Sequence, residues 1–106
     1  MLYEKLTTAW NACDLDGWKA CYHSDYTFVS HANGMTMTSD DISDDMMLGM
    51  MQTTKLEKQR CLYEDENILV EHSFATFGSG AKEAVIAVHT KKDGLIWQTE
   101  TGATPL

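Results

Sequence analysis

Residues 91–100 read KKDGLIWQTE: a strand ending in two lysines, the pair Asp93-Gly94, and a second strand-like run. Asp-Gly between two such runs is a strong local hairpin signal. Two turns fit it. A type I turn with Gly94 as a left-handed bulge residue closes Lys91 against Leu95. It sets His89 beside Trp97, Ala87 beside Thr99 and Val85 beside Thr101, leaving Ile86, Val88 and Ile96 on the opposite face. A two-residue Asp93-Gly94 turn instead slips the register by one and sends His89 to the other face. The bulged turn is the expected one.

Working back from this hairpin, strand composition extends to residue 54. Strands are expected at about 54–63, 68–77, 83–91 and 95–103, joined by EDEN (64–67), GSG (78–80) and KKDG (91–94), all turn compositions. On the second of these strands Val70, His72, Phe74 and Thr76 share one face, and Leu69, Glu71, Ser73, Ala75 and Phe77 the other. Both faces are half apolar, so periodicity leaves the facing open.

Before residue 54 the period is helical. Leu2, Leu6, Ala9, Trp10 and Cys13 make one apolar face over residues 2–13. Asp14 is a good cap for a short second helix carrying Trp18, Cys21 and Tyr22 inward. SDYTFVSH (24–31) turns to strand composition, and FVSHANGMTM (28–37) runs into a turn and comes back, with His31 at the bend. TSDDISDDMMLGMMQ (38–52) predicts a third helix capped by Thr38 or Ser39, with Ile42, Met46, Met50 and Thr53 as its inner stripe. Three helices and a short strand, then a four-strand antiparallel meander, make an α+β fold whose helices cover one sheet face.

A chain of 106 residues with no Pro- or Gly/Ser-rich linker is expected to be one domain over 1–106. Its 43% hydrophobic and 23% charged residues are ordinary globular values. A formal charge of −8, with only eight Lys and Arg, argues against nucleic acid and anionic membranes as partners. No stretch approaches the roughly 20 apolar residues that span a bilayer. MLYEKLTTAW (1–10) carries Glu4 and has no signal-peptide core, and three cysteines without a CxxC suit a reducing compartment. A cytoplasmic location is expected.

WNACDLDGW (10–18) resembles the first helix junction, and DGLIWQTE (93–100) the last hairpin, of the nuclear transport factor 2-like superfamily, whose SnoaL-like and ketosteroid-isomerase-like small domains look closest. The resemblance implies a cystatin-like cone: a curved antiparallel sheet wrapped around three N-terminal helices, with a pocket open at one end. Members include isomerases, cyclases, dehydratases and hydrolases as well as non-enzymatic binding and dimerisation modules, and fold does not choose among them. The isomerases use a strand-end aspartate as proton shuttle, with a tyrosine and a protonated aspartic acid holding the oxyanion. Aligned on WNACDLDG, the shuttle position falls on Ser30, the tyrosine on Leu6 (Tyr3 lies one turn earlier) and the aspartic acid near Ala87, so that apparatus is not matched.

The resemblance points Trp97 and Thr99 into the cone, His89 with them, and favours His72 inside. His31, His72 and His89 are then the candidate acid/base groups, since histidine titrates near working pH. Tyr26, Ser30, Met46, Met50, Trp97 and Thr99 are the candidate ligand-binding residues, and six methionines between Met35 and Met51 suit a soft wall for an apolar molecule. His31 is expected at the rim, partly exposed, with Ser30 turned inward, because neighbours on a strand alternate. Cys21-x-His23 lacks a second pair, and DDISDD lacks a calcium loop's glycine and terminal glutamate, so no metal or cofactor is expected. The apolar strip Ile86, Val88 and Ile96 predicts a two-fold homodimer through the open sheet face. The function expected is binding or transformation of a compact apolar organic molecule. The alternative is a non-catalytic homodimerisation or protein-interaction module with a self-filled pocket.

Overall fold

The computed structural model describes all 106 residues. Helix α1 (Leu2–Asn11) stops where Cys13 takes a left-handed φ of 52°, two residues short of the predicted end. Helix α2 (Leu15–Lys19) starts at Asp14, whose side chain accepts from the Gly17 amide at 3.0 Å. Strands β1 (Tyr22–Ser30) and β2 (Met35–Thr38) form a hairpin whose turn uses Gly34 at φ 73° and an Asn33 side chain accepting from Met35 N. A 3-10 turn (Ser39–Asp41) with a Thr38–Asp41 capping box follows, and Ser43 then caps α3 (Asp44–Thr53). The acid-rich stretch thus makes two short elements instead of one helix, because Ile42 is extended (φ −109°, ψ 101°).

Strands β3 (Lys55–Glu64), β4 (Ile68–Thr76), β5 (Lys82–Lys92) and β6 (Leu95–Pro105) form the expected antiparallel meander. The sheet as a whole is mixed, in the order β2-β1-β6-β5-β4-β3, because β1 joins the free edge of β6 in parallel. That pairing leaves two guarded edges: β2 is only four residues long, and β3 is interrupted by two register shifts and carries Lys55, Lys58 and Arg60.

The last hairpin corrects the register. Asp93 and Gly94 both have positive φ (54° and 76°), so the turn has two residues and joins Lys92 to Leu95. A bulge between Thr90 and Lys91 then shifts the pairing, so that His89 lies opposite Thr99 and Ala87 opposite Thr101. The chain takes three residues to pass from Ile96 to Thr99, where a regular strand would take two. His89 therefore stays on the concave face and Trp97 is put off it. Ile96 is fully buried in the core, not on the outer face.

Leu6, Cys21, Tyr26, Leu69 and Ile96 form that core, with Leu2, Tyr3, Trp18, Tyr22, Phe28 and Ile42 packed around it. Only 14 of 106 residues are buried, because much of the space between helices and sheet is cavity and not packed side chains. Of the predicted α3 stripe, Ile42 is partly buried, while Met46 and Met50 are each 39% exposed; Met51 is the residue α3 buries. Where α3 meets β3, the Thr54 hydroxyl is buried without a hydrogen-bond partner. An orphaned hydroxyl costs about 1–3 kcal/mol, so Thr54→Val, of the same shape, is expected to raise stability by about 1 kcal/mol in urea unfolding. A loss of stability would show that the hydroxyl is satisfied.

Candidate functional site

A cavity of about 610 Å³ opens between the concave sheet face, α1 and α3. Its exposed lining residues, Ala32, Asn33, Met35, Met46 and Met50, mark the mouth. Alternate residues of each strand project inward, and this decides which candidates reach it. From β4 they are Glu71, Ser73 and Ala75, from β5 Glu83, Val85, Ala87 and His89, and from β6 Thr99, Thr101 and Ala103. Trp10, Trp18, Tyr22, Tyr26 and Phe28 supply aromatic wall, and Met35, Met37, Met46, Met47 and Met50 the flexible side.

At the sheet side of the cavity one hydrogen-bonded chain stands out. His89, only 4% exposed, has its Nδ1 2.7 Å from Thr99 Oγ1 and its Nε2 2.8 Å from Glu71 Oε2. An ionised carboxylate only accepts, so with Glu71 ionised His89 Nε2–H donates to it and the neutral ring's Nδ1 accepts from the Thr99 hydroxyl. Tyr26 stands beside Thr99. Burial first, and the Glu71 charge with it, push the Tyr26 phenol up to about 12 against the pull of the Thr99 hydroxyl. The phenol is thus a neutral donor at neutral pH. Only Oε2 of Glu71 is engaged, which leaves its other oxygen for the cavity. Burial likewise holds the neighbouring Tyr22 phenol well above its ordinary value. Trp18, Tyr22 and Tyr26 stack in series, with ring centroids 4.2 and 4.7 Å apart, and so fix the phenol's position.

Among the expected site residues, Tyr26, Ser30, Met46, Met50, His89 and Thr99 line this cavity. Trp97, His72 and His31 do not. Trp97 is displaced by the β6 bulge and holds the Lys92 ammonium 5.5 Å from its ring centroid. His72 is on the outer face, opposite Ile86, with its Nδ1 3.5 Å from Arg60 Nε and its ring edge-on to Phe74. The reason is that β4 turns Leu69, Glu71, Ser73 and Ala75 inward. His31 has a side chain 62% exposed and sits 3.1 Å from Glu100 Oε1, outside the cavity, while its amide donates to Thr101 O. Its partner in sequence, Ser30, is the inward one, only 8% exposed.

Glu71 is the group sequence reasoning missed. Leu6, Ser30 and Ala87, the positions aligned with the isomerase residues, all line the cavity, and Glu71 pairs directly across from Ala87. A carboxyl is therefore present one strand away from the aligned aspartic-acid position. No group of three or more His, Cys, Asp or Glu side chains converges as a metal site would require. No helix is long and apolar enough to cross a membrane.

The SnoaL-like domain model matches residues 3–99. The chain belongs to the SnoaL-like family. Solved structures agree on the fold of this SnoaL-like protein. A nuclear transport factor 2-like protein of unknown function from Cytophaga hutchinsonii superposes with a TM-score of 0.78 at 14% identity, covering 97% of this chain and 87% of that one. A protein from Silicibacter, provisionally named a polyketide cyclase, gives 0.73 at 18% identity over 96% and 85% of the two chains. One from Kribbella flavida, provisionally named a ketosteroid isomerase, gives 0.71 at 14% identity over 97% and 75%. No curated protein matches the chain.

Proposed function

We propose that this SnoaL-like protein binds a compact, largely apolar organic molecule in the cone and moves a proton on it. The observation that carries the reading is the Glu71–His89–Thr99 chain at the wall of an apolar cavity. A carboxylate with one oxygen free is a base that takes the proton on that oxygen, while the His89 Nε2–H donates to its other oxygen and holds it in place. Tyr26, kept neutral beside Thr99, would turn its hydroxyl from Thr99 to an oxygen on the ligand and donate there. Proton abstraction beside a carbonyl needs those two groups, a base and a hydrogen-bond donor. The cavity's volume favours this over a self-filled pocket.

The test uses a simple carbon acid, 2-tetralone, in deuterated buffer. The protein is expected to speed exchange of its α-protons, followed by NMR, above the rate in buffer alone. Equal rates in protein and buffer would remove the catalytic part of the reading.

We also propose that the protein is a cytoplasmic homodimer joined through the outer sheet face. Val70, Phe74, Ile86 and Val88 form an apolar patch there, with Ile86 41% exposed. Both sheet edges are guarded, which leaves the face as the self-complementary surface. All three cysteines are unpaired, as suits a reducing compartment. Light scattering is expected to give twice the 11.9 kDa chain mass. The mass of a single chain at micromolar concentration would remove the dimer.

A further inference from the structure

The charges that line the cavity narrow the kind of ligand it takes. Glu71 and Glu83 face it, and no Lys or Arg does. His89 adds no donor, since both its ring nitrogens are engaged within the wall, by Glu71 and by Thr99. Of the two carboxylates, Glu71 has a side chain only 18% exposed and one oxygen left free, an acceptor in a largely apolar and aromatic space. Buried acceptors gain most from a donor that carries charge. Trp10, Trp18, Tyr22, Tyr26 and Phe28 offer ring faces, which attract cations electrostatically. The chain's net charge of −8 raises the local concentration of cations and lowers that of anions.

We infer that the cavity selects organic amines: a compact apolar body with a protonated nitrogen that donates to Glu71. This inference rests on the pocket part of the reading above and names the ligand's charge. An ammonium seated on the free oxygen of Glu71 occupies the base, so such an amine is a ligand of the cavity and not a substrate for the proton abstraction. A carboxylate or phosphate ligand would meet Glu71 with no cation beside it, and such like-charge contact is how a site rejects the wrong partner.

Three probes of one shape separate the cases: 1-naphthylmethylamine, 1-naphthylmethanol and 1-naphthoate, titrated by calorimetry at neutral pH. The amine is expected to bind about tenfold tighter than the alcohol, and the naphthoate weakest of the three. Glu71→Gln, whose amide oxygen still accepts from His89 Nε2–H, is expected to bring the amine level with the alcohol, the amine losing far more affinity than the alcohol does. In the unaltered protein, an intermolecular NOE from the aminomethyl protons of the amine to the Ala87 methyl, opposite Glu71, is expected, and it locates the head group without any variant.

If the alcohol binds and the amine binds no tighter, or the naphthoate binds as well as the amine, the inference is overturned while the pocket reading stands. An amine preference that persists in folded Glu71→Gln, or an aminomethyl group with no NOE to Ala87, also overturns it, because the anchor then lies elsewhere. If none of the three binds, both readings fall.

Discussion

Glu71→Gln is expected to slow the protein-catalysed α-proton exchange of 2-tetralone by about a hundredfold or more, the usual contribution of a positioned general base. The substitution keeps the shape of the side chain. Its amide oxygen still accepts from His89 Nε2, so Thr99 and Tyr26 are held where they were. What it removes is basicity. The variant should therefore fold with an unchanged far-UV spectrum and bind 2-tetralone as before, so that the loss falls on the rate. A Tyr26→Phe variant tests the other side of the reaction. It keeps the ring that stacks edge-on to Tyr22 and loses only the donor, so its rate is also expected to fall. Exchange within twofold of the unaltered protein in folded Glu71→Gln would show that the carboxylate is a structural partner of His89 and nothing more.

The second large effect is on stability. Lys91 Nζ lies 2.7 Å from Glu64 Oε2 and donates also to Asp65 O, with both side chains about 95% buried, at 5% and 6% exposure. Glu64 in turn accepts from the Leu2 and Tyr3 amides, so it caps α1 from the far end of β3. This is a buried ion pair that clamps the N-terminal helix to the sheet. Removing one partner leaves the other charge buried and uncompensated, at a cost of about 3–5 kcal/mol. Lys91→Met is expected to destabilise by about 3 kcal/mol in urea unfolding. Adding Glu64→Gln to Lys91→Met is expected to recover part of that loss, because the remaining charge is gone while the side chain can still accept from α1.

The pH dependence of this clamp has a definite sign. Burial raises the pKa of Glu64, but the hydrogen bonds from Lys91, Leu2 and Tyr3 outweigh it, and the carboxyl sits below its ordinary value. A depressed carboxyl contributes stability that is fully present above the unfolded-state value and is lost as pH falls through the folded-state value. The unaltered protein is therefore expected to lose stability on acidification below the ordinary carboxylate range. The Lys91→Met, Glu64→Gln double variant should lose less over the same interval. Parallel acid profiles would contradict the clamp.

The sequence was legible where a local rule governs a local structure. Asp14 reads as a cap and caps α2; EDEN, GSG and KKDG read as turns and are the meander's connections. The last hairpin shows where such rules stop. Asp93-Gly94 adopts the two-residue turn that was the less expected of two. The bulge that then returns His89 to the concave face depends on pairing with β5 and with the parallel β1, which no local residue marks. Trp97 and Ile96 were misplaced by the same displacement.

The facing of β4 was illegible for a different reason. A strand with one wet face alternates cleanly, but here the outer face carries Val70 and Phe74 and the inner face carries Glu71 and Ser73. A cavity that needs polar groups and an outer surface that is apolar together erase the pattern. Glu71 went unseen because an acid beside a histidine in a strand reads as solvated surface. Its meaning lies in a diagonal contact with His89 on the neighbouring strand β5, two residues along from its direct partner Ala87.

The most direct test is the response of the three tryptophan indole N–H resonances to 2-tetralone, in a heteronuclear NMR titration. Trp10 and Trp18 line the cavity and Trp97 does not. The Trp10 and Trp18 signals are expected to move together with the amides of Ala87 and Thr99, while Trp97 stays in place. Movement of Trp97 alone, or of none of the three at saturating ligand, would contradict a ligand in the cone.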